Sequence, residues 1–97
     1  MPLPMTEDQL LTAVIEAATL YGWRVHHDRR SDKAIQQGDR GFPDLVLARE
    51  CEVRFLELKS EKGRVTQEQD WWISDLGDLA RVIRPSDLDA VLEWLKP

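Results

Sequence analysis

Gly41-Phe42-Pro43-Asp44-Leu45-Val46-Leu47-Ala48, followed after Arg49-Glu50-Cys51-Glu52 by Val53-Arg54-Phe55-Leu56-Glu57-Leu58-Lys59, is the stretch that decides the fold. Leu45–Ala48 and Val53–Leu58 are apolar runs of strand length with a polar break between them, which is a hairpin signature. Pro43 fixes the backbone just ahead of the first run and biases Phe42 toward extended geometry. In the second run, strand alternation puts Phe55, Glu57 and Lys59 on one face and Arg54, Leu56 and Leu58 on the other. A strand inside a sheet thus presents a carboxylate and an ammonium side by side.

Working outward, Thr6-Glu7-Asp8-Gln9 has capping-box spacing, with a hydroxyl at the N-cap and an amide three residues on. Leu10, Leu11, Val14, Ile15 and Ala18 follow at helical spacing and predict an amphipathic helix ending near Tyr21-Gly22. Trp23 to His26 reads as a short strand, and residues 27–43, with Gly38, Gly41 and Pro43, as a loop. Past Gly63, Thr66-Gln67-Glu68-Gln69 is a second capping box, then Trp72, Ile73 and Leu76 share one face of a helix that Gly77 stops. Ala80–Ile83 predicts a strand, and Ser86-Asp87-Leu88-Asp89 opens a last helix with Leu88, Val91, Leu92 and Leu95 turned inward. The order is α-β-β-β-α-β-α, an α/β sandwich around a mixed sheet.

Composition narrows the class. The 97 residues, 42% hydrophobic and 32% charged, show no repeats or low-complexity tracts and read as one domain over 1–97. No apolar run approaches the roughly 18 residues that cross a bilayer. The lone Cys51 cannot close an internal disulfide, so the chain reads as intracellular, with zinc improbable. The net charge of −5 argues against a general nucleic-acid binder. Between Gly22 and Gly41, however, Arg24, Arg29, Arg30, Lys33 and Arg40 outnumber Asp28, Asp32 and Asp39 by two. Such a cationic loop either contacts phosphate backbone locally or is simply a solvated surface.

Buried charges are costly unless paired or metal-bound, so Glu57 and Lys59 call for a reason. The competing reading is a frayed strand end from which both reach water, since Ser60-Glu61-Lys62-Gly63 follows directly. Asp44 opens the first run, and the hairpin carries it to the far end of the second. Two carboxylates at neighbouring strand ends form an oxygen-rich niche suited to Mg²⁺, which takes one or two carboxylates and leaves room for a phosphate. Lys59 beside them is a point charge able to stabilise a pentacovalent phosphate or lower the pKa of an attacking water. By itself, a Pro-Asp pair is only a common turn dipeptide.

Pro43-Asp44 and Glu57-Leu58-Lys59 on adjacent strands of an α-β-β-β-α-β core resemble the PD-(D/E)XK nuclease superfamily. The flanking residues are similar to its VRR-NUC branch: Gly41-Phe42-Pro43-Asp44, Glu57-Leu58-Lys59, and Thr66 three residues before Gln69. The resemblance implies a restriction-endonuclease-like fold and a Mg²⁺- or Mn²⁺-dependent endonuclease that hydrolyses DNA. Asp44, Glu57 and the backbone carbonyl of Leu58 would hold the metal, and Lys59 would orient or activate water. Gln69 would support the site, unless it is only an exposed helix amide. Glu7 matches the family's N-terminal glutamate best, with Glu16 as competitor and a first-turn dipole partner as the plain alternative. Stand-alone proteins of this branch resemble phage and bacterial Holliday-junction resolvases, which implies branched DNA (junction or flap), a homodimer and a bacterial or phage-infected cytoplasm. His27, Arg29, Arg30, Lys33 and Arg40 are the candidate DNA contacts. The alternative is a non-catalytic binding or assembly module on the same fold.

His26 and His27 are adjacent on a strand, point to opposite faces and cannot both enter one site. His27 either contacts phosphate or is an ordinary surface imidazole. Trp23 and Trp72 fall at core positions. Trp71 and Trp94 lie beside their apolar stripes, where such residues more often close the core edge than stack on a partner or base.

Overall fold

Two copies of one capping device start the first two helices. Thr6 Oγ1 accepts from the Gln9 N–H at 3.1 Å while Thr6 N–H donates to Gln9 Oε1 at 2.9 Å, and Thr66 and Gln69 repeat the pattern at 3.2 and 2.9 Å. The computed structural model describes residues 5–28 and 37–97. In chain order its elements are α1 (Glu7–Leu20), β1 (Arg24–His27), β2 (Leu45–Arg49), β3 (Glu52–Leu58), α2 (Gln67–Leu76), β4 (Ala80–Ile83) and α3 (Leu88–Leu95). Short 3-10 turns at Gly77–Leu79 and Pro85–Asp87 flank β4.

The four strands lie in the order β1-β2-β3-β4. β1 and β2 run antiparallel, as do β2 and β3, while β4 joins β3 in parallel after the α2 crossover. The expected mixed α/β sheet with flanking helices and a C-terminal helix is therefore what forms. The β2–β3 turn holds Glu50 and Cys51 at φ of 48° and 69°, left-handed for both. A two-residue turn with left-handed dihedrals at both positions matches the twist of two directly connected strands.

Register sorts the side chains into two faces. Leu45 pairs with Leu56, and Leu58 with Ile83, so these share a face with Leu47. Against it pack Leu10, Val14 and Ala18 from α1 and Val91 and Leu95 from α3, all buried, to form the core. Trp23 joins them at 4% exposure, its Nε1 donating to Leu95 O at 2.8 Å. The other face carries Val46, Phe55 and Val82 under α2, a helix that contributes no fully buried residue. Trp72 is accordingly half-buried rather than core, and Trp71 is 59% exposed rather than closing a core edge. Trp94 does pack on the core cluster.

Candidate active site

The site lies at the end of the sheet where β1, β3 and β4 finish and β2 begins. α1 runs antiparallel to β1, so its N-terminus with Glu7 lies at this same end. Because Leu45 pairs with Leu56, Asp44 falls opposite Glu57 and on the same face. Asp44 Oδ2 accepts a hydrogen bond of 2.8 Å from the Leu58 N–H. That bond extends the β2–β3 ladder by one rung made from a side chain, and it fixes the carboxylate against the neighbouring strand.

Glu57 is buried to 2% exposure, among the fully buried side chains of the protein. This rules out the frayed strand end, in which both charges would reach water. Its two oxygens have different surroundings. Oε2 accepts from Gln69 Nε2 at 3.1 Å and lies 3.8 Å from Lys59 Nζ. Oε1 is buried and meets no hydrogen-bond donor. Burial, foremost, pushes the Glu57 carboxyl up to about 8. The nearby charge of Asp44 adds to the rise, Lys59 opposes it, and Glu7 adds a smaller push.

Gln69 and Glu57 belong to one locked arrangement. The carbonyl end of the Gln69 amide is occupied by the Thr66 N–H, which leaves the amino end to face Glu57. Gly41 presses α2 onto the strands: a Cβ there would sit 2.6 to 2.8 Å from backbone atoms of Glu68 and Gln69. Beyond Lys59, whose N–H donates to Ile83 O, Arg84 Nη1 donates to the carbonyls of Ser60, Glu61 and Gly63 and ties the following loop to the end of β4. No motif or periodicity marked Arg84 for that task.

The remaining candidates distribute as follows. Glu7 is exposed on the first turn of α1, and its charge bears on Glu57. Glu16 stands nine residues further along the helix, beside Thr12 and Ala13, more than two turns away from that end. His27 ends β1 opposite Leu45, so it shares the Leu45–Leu56 face, whereas His26 shares the face of Val46 and Phe55. Arg40 is exposed, and its carbonyl receives the Trp72 Nε1–H at 3.0 Å. Arg29, Arg30 and Lys33 lie outside the described residues.

Among the described residues no group of three or more His, Cys, Asp or Glu side chains converges on one point. Two carboxylates do converge, and that is what a Mg²⁺-type ion asks of a protein when water and phosphate oxygens fill the other positions. The donorless Oε1 of Glu57 and the mutual repulsion of Glu57 and Asp44 both fit a cation between them.

A mixed sheet whose adjacent strand ends present Asp44, Glu57 and Lys59 is an architecture of the PD-(D/E)XK type. The model of the VRR-NUC domain matches residues 6–83, and the chain belongs to that family of nuclease domains. Neither comparison with curated proteins nor comparison with solved structures gives a match. Family membership brings a nuclease-type function, DNA as the ligand class and divalent metals as the usual cofactors.

Proposed function

We propose that the protein is a Mg²⁺- or Mn²⁺-dependent endonuclease that hydrolyses DNA phosphodiesters, selects branched DNA and acts as a homodimer. The observation that carries the reading is Glu57: a buried carboxylate with one oxygen held by Gln69 and Lys59 and the other without a donor, facing Asp44. A buried carboxylate with one oxygen left without a donor is expensive, and a binding-only module has no use for one.

In this reading Asp44, Glu57 and the Leu58 carbonyl would hold the cation. When bound, it supplies Lewis-acid stabilisation of the negative charge that develops on the phosphate. Gln69 fixes one oxygen of the Glu57 carboxylate, which would leave the bare one for the cation. The Lys59 ammonium, 14% exposed, shares the Glu57 face and orients the attacking water through its N–H donors. As the water oxygen bonds to phosphorus it gives up a proton to solvent, and one ester P–O bond breaks. The departing oxygen takes up a proton from solvent, so the elements of water are divided between the two products. Glu7 contributes a further carboxylate at the mouth of the site, and the basic stretch 24–40, with His27 and Arg40, grips backbone without reading sequence. A four-way junction has two-fold character, which suits a symmetric pair of sites.

The test is cleavage of labelled four-way junction, flap, duplex and single-stranded DNA in Mg²⁺, Mn²⁺ or EDTA, alongside Lys59→Ala. Metal-dependent cutting that Lys59→Ala abolishes supports the nuclease. Tight binding without cutting in any metal supports the assembly module instead.

A further inference from the structure

Beside the carboxylate pair, the structure has a second concavity whose chemistry differs from that of the site. It lies between Gly38–Arg40 and α2 and encloses about 570 Å³. Glu68, Trp71, Trp72, Asp75 and Leu76 supply its helical wall, positions that share one helix face. Its floor is aromatic and continues toward the catalytic strands. Trp72 meets Phe42 edge-on at a centroid distance of 4.9 Å, and Phe42 meets Phe55 at 5.9 Å. Phe42 stands two residues before Asp44, and Phe55 two residues before Glu57. The concavity also shares a wall with the site, because Gly41 packs on the Glu68–Gln69 peptide and Gln69 holds Glu57.

Trp71, Phe42 and Leu79, which are 59%, 43% and 45% exposed, all lie on or beside α2. The Trp72 Nε1–H is already used by the Arg40 carbonyl, so the polar edge of that indole is taken. Charge then selects the occupant. Among the described residues, Asp39, Glu68 and Asp75 line the space with one cation, Arg40, a balance that disfavours phosphate. Carboxylates do accept hydrogen bonds from the amino groups of adenine, cytosine and guanine.

We infer that this concavity receives an unpaired nucleobase of the substrate strand, stacked on Trp71 and bonded through its exocyclic amino group to the acidic rim. The inference rests on the nuclease reading and deepens it. A base reaches the concavity only where it is free of its partner strand, so the concavity selects DNA with unpaired nucleotides next to the scissile phosphate. The phosphate stays at the carboxylate pair while the base is drawn away from it.

The experiment is binding, in EDTA so that nothing is cut, of flap DNA carrying 2-aminopurine at single unpaired positions, with full duplex of equal length as reference. The wild type quenches 2-aminopurine at one position near the branch, and an abasic residue there weakens binding about tenfold. Trp71→Ala loses the quenching and the same factor, Trp71→Phe restores most of both, and duplex binding is unchanged in each. Circular dichroism checks that the variants fold. Quenching that survives Trp71→Ala, or an abasic flap bound as tightly as the intact one, overturns the inference while leaving the nuclease reading in place. A change in molecular mass with Trp71→Ala and none in flap binding overturns it in favour of a second copy of this chain on α2. No binding to any DNA overturns this inference, and together with no cutting in Mg²⁺ or Mn²⁺ it removes the nuclease reading as well.

Discussion

The amide nitrogen of Gln69 lies 3.1 Å from Oε2 of Glu57, while the amide oxygen of the same side chain closes the capping box of α2. One residue therefore serves the helix start and the buried carboxylate. Gln69→Leu removes both bonds. The expected loss of stability is about 1–2 kcal/mol, the range of a lost cap plus one hydrogen bond. Gln69→Glu keeps an acceptor for Thr66 but brings a third carboxylate to Glu57. It should lower metal-free stability further, with Mn²⁺ recovering most of the difference. Melting curves with and without Mn²⁺ check both variants, and equal melting temperatures for all three proteins would refute the coupling.

A glycine pair separates strain from collision. Gly38 and Gly41 have nearly the same backbone, φ of 89° and 91°. A Cβ on Gly38 meets nothing within 4 Å, whereas one on Gly41 runs into the Glu68–Gln69 backbone. Gly38→Ala should cost roughly 1 kcal/mol, the left-handed penalty alone. Gly41→Ala should cost roughly 3 kcal/mol or more and displace α2 from the site, so metal affinity falls with stability. Denaturant titration of the two variants measures the contrast.

Glu57 makes the metal-free protein sensitive to alkali. Its carboxyl stands at about 8 in the folded chain against an ordinary 4.5. The folded state thus binds a proton that the unfolded state has released between those values. This contribution is complete below about pH 4.5 and disappears as the pH rises through 8, a few kcal/mol in all. Urea midpoints in EDTA should fall from pH 6 to pH 8.5. Glu57→Gln should flatten that slope, and Mg²⁺ at pH 8.5 should rescue the wild type but not the variant.

On the opposite sheet face, Arg49 stacks 4.0 Å from the Trp23 ring and donates to the carbonyls of Tyr21 and Leu95 at 2.8 and 3.0 Å. It thereby ties the C-terminal ends of α1 and α3 to β2. Trp94 sits between two further guanidinium groups, Arg54 at 5.2 Å and Arg81 at 4.0 Å. Arg49→Ala should destabilise by about 2–3 kcal/mol, through orphaned carbonyls and the lost stacking. Arg49→Lys should recover less than half, because an ammonium lacks the planar fork. Thermal unfolding decides between the two.

What the sequence determined by itself was local. The capping boxes of Thr6 and Thr66, the helical stripes behind them, the two strands of the hairpin and the Ala80–Ile83 strand all depend on neighbours within a few residues. For that reason α1, α2, β2, β3 and β4 appear where the pattern puts them, to within a residue or two at their ends. The order of Asp44, Glu57 and Lys59 was legible too, since alternation fixes faces along each strand. Tertiary structure decided how those faces meet. The Leu45–Leu56 register sets Asp44 against the Leu58 N–H, and the parallel docking of β4 makes β3 an interior strand. Burial of Glu57 follows from packing contributed by several elements, Gln69 on α2 among them, and no window of sequence contains that information. The same holds for Trp71 and Trp72. Helix periodicity puts Trp72 in a buried stripe and Trp71 beside it, yet α2 contributes no fully buried residue and Trp71 is left 59% exposed.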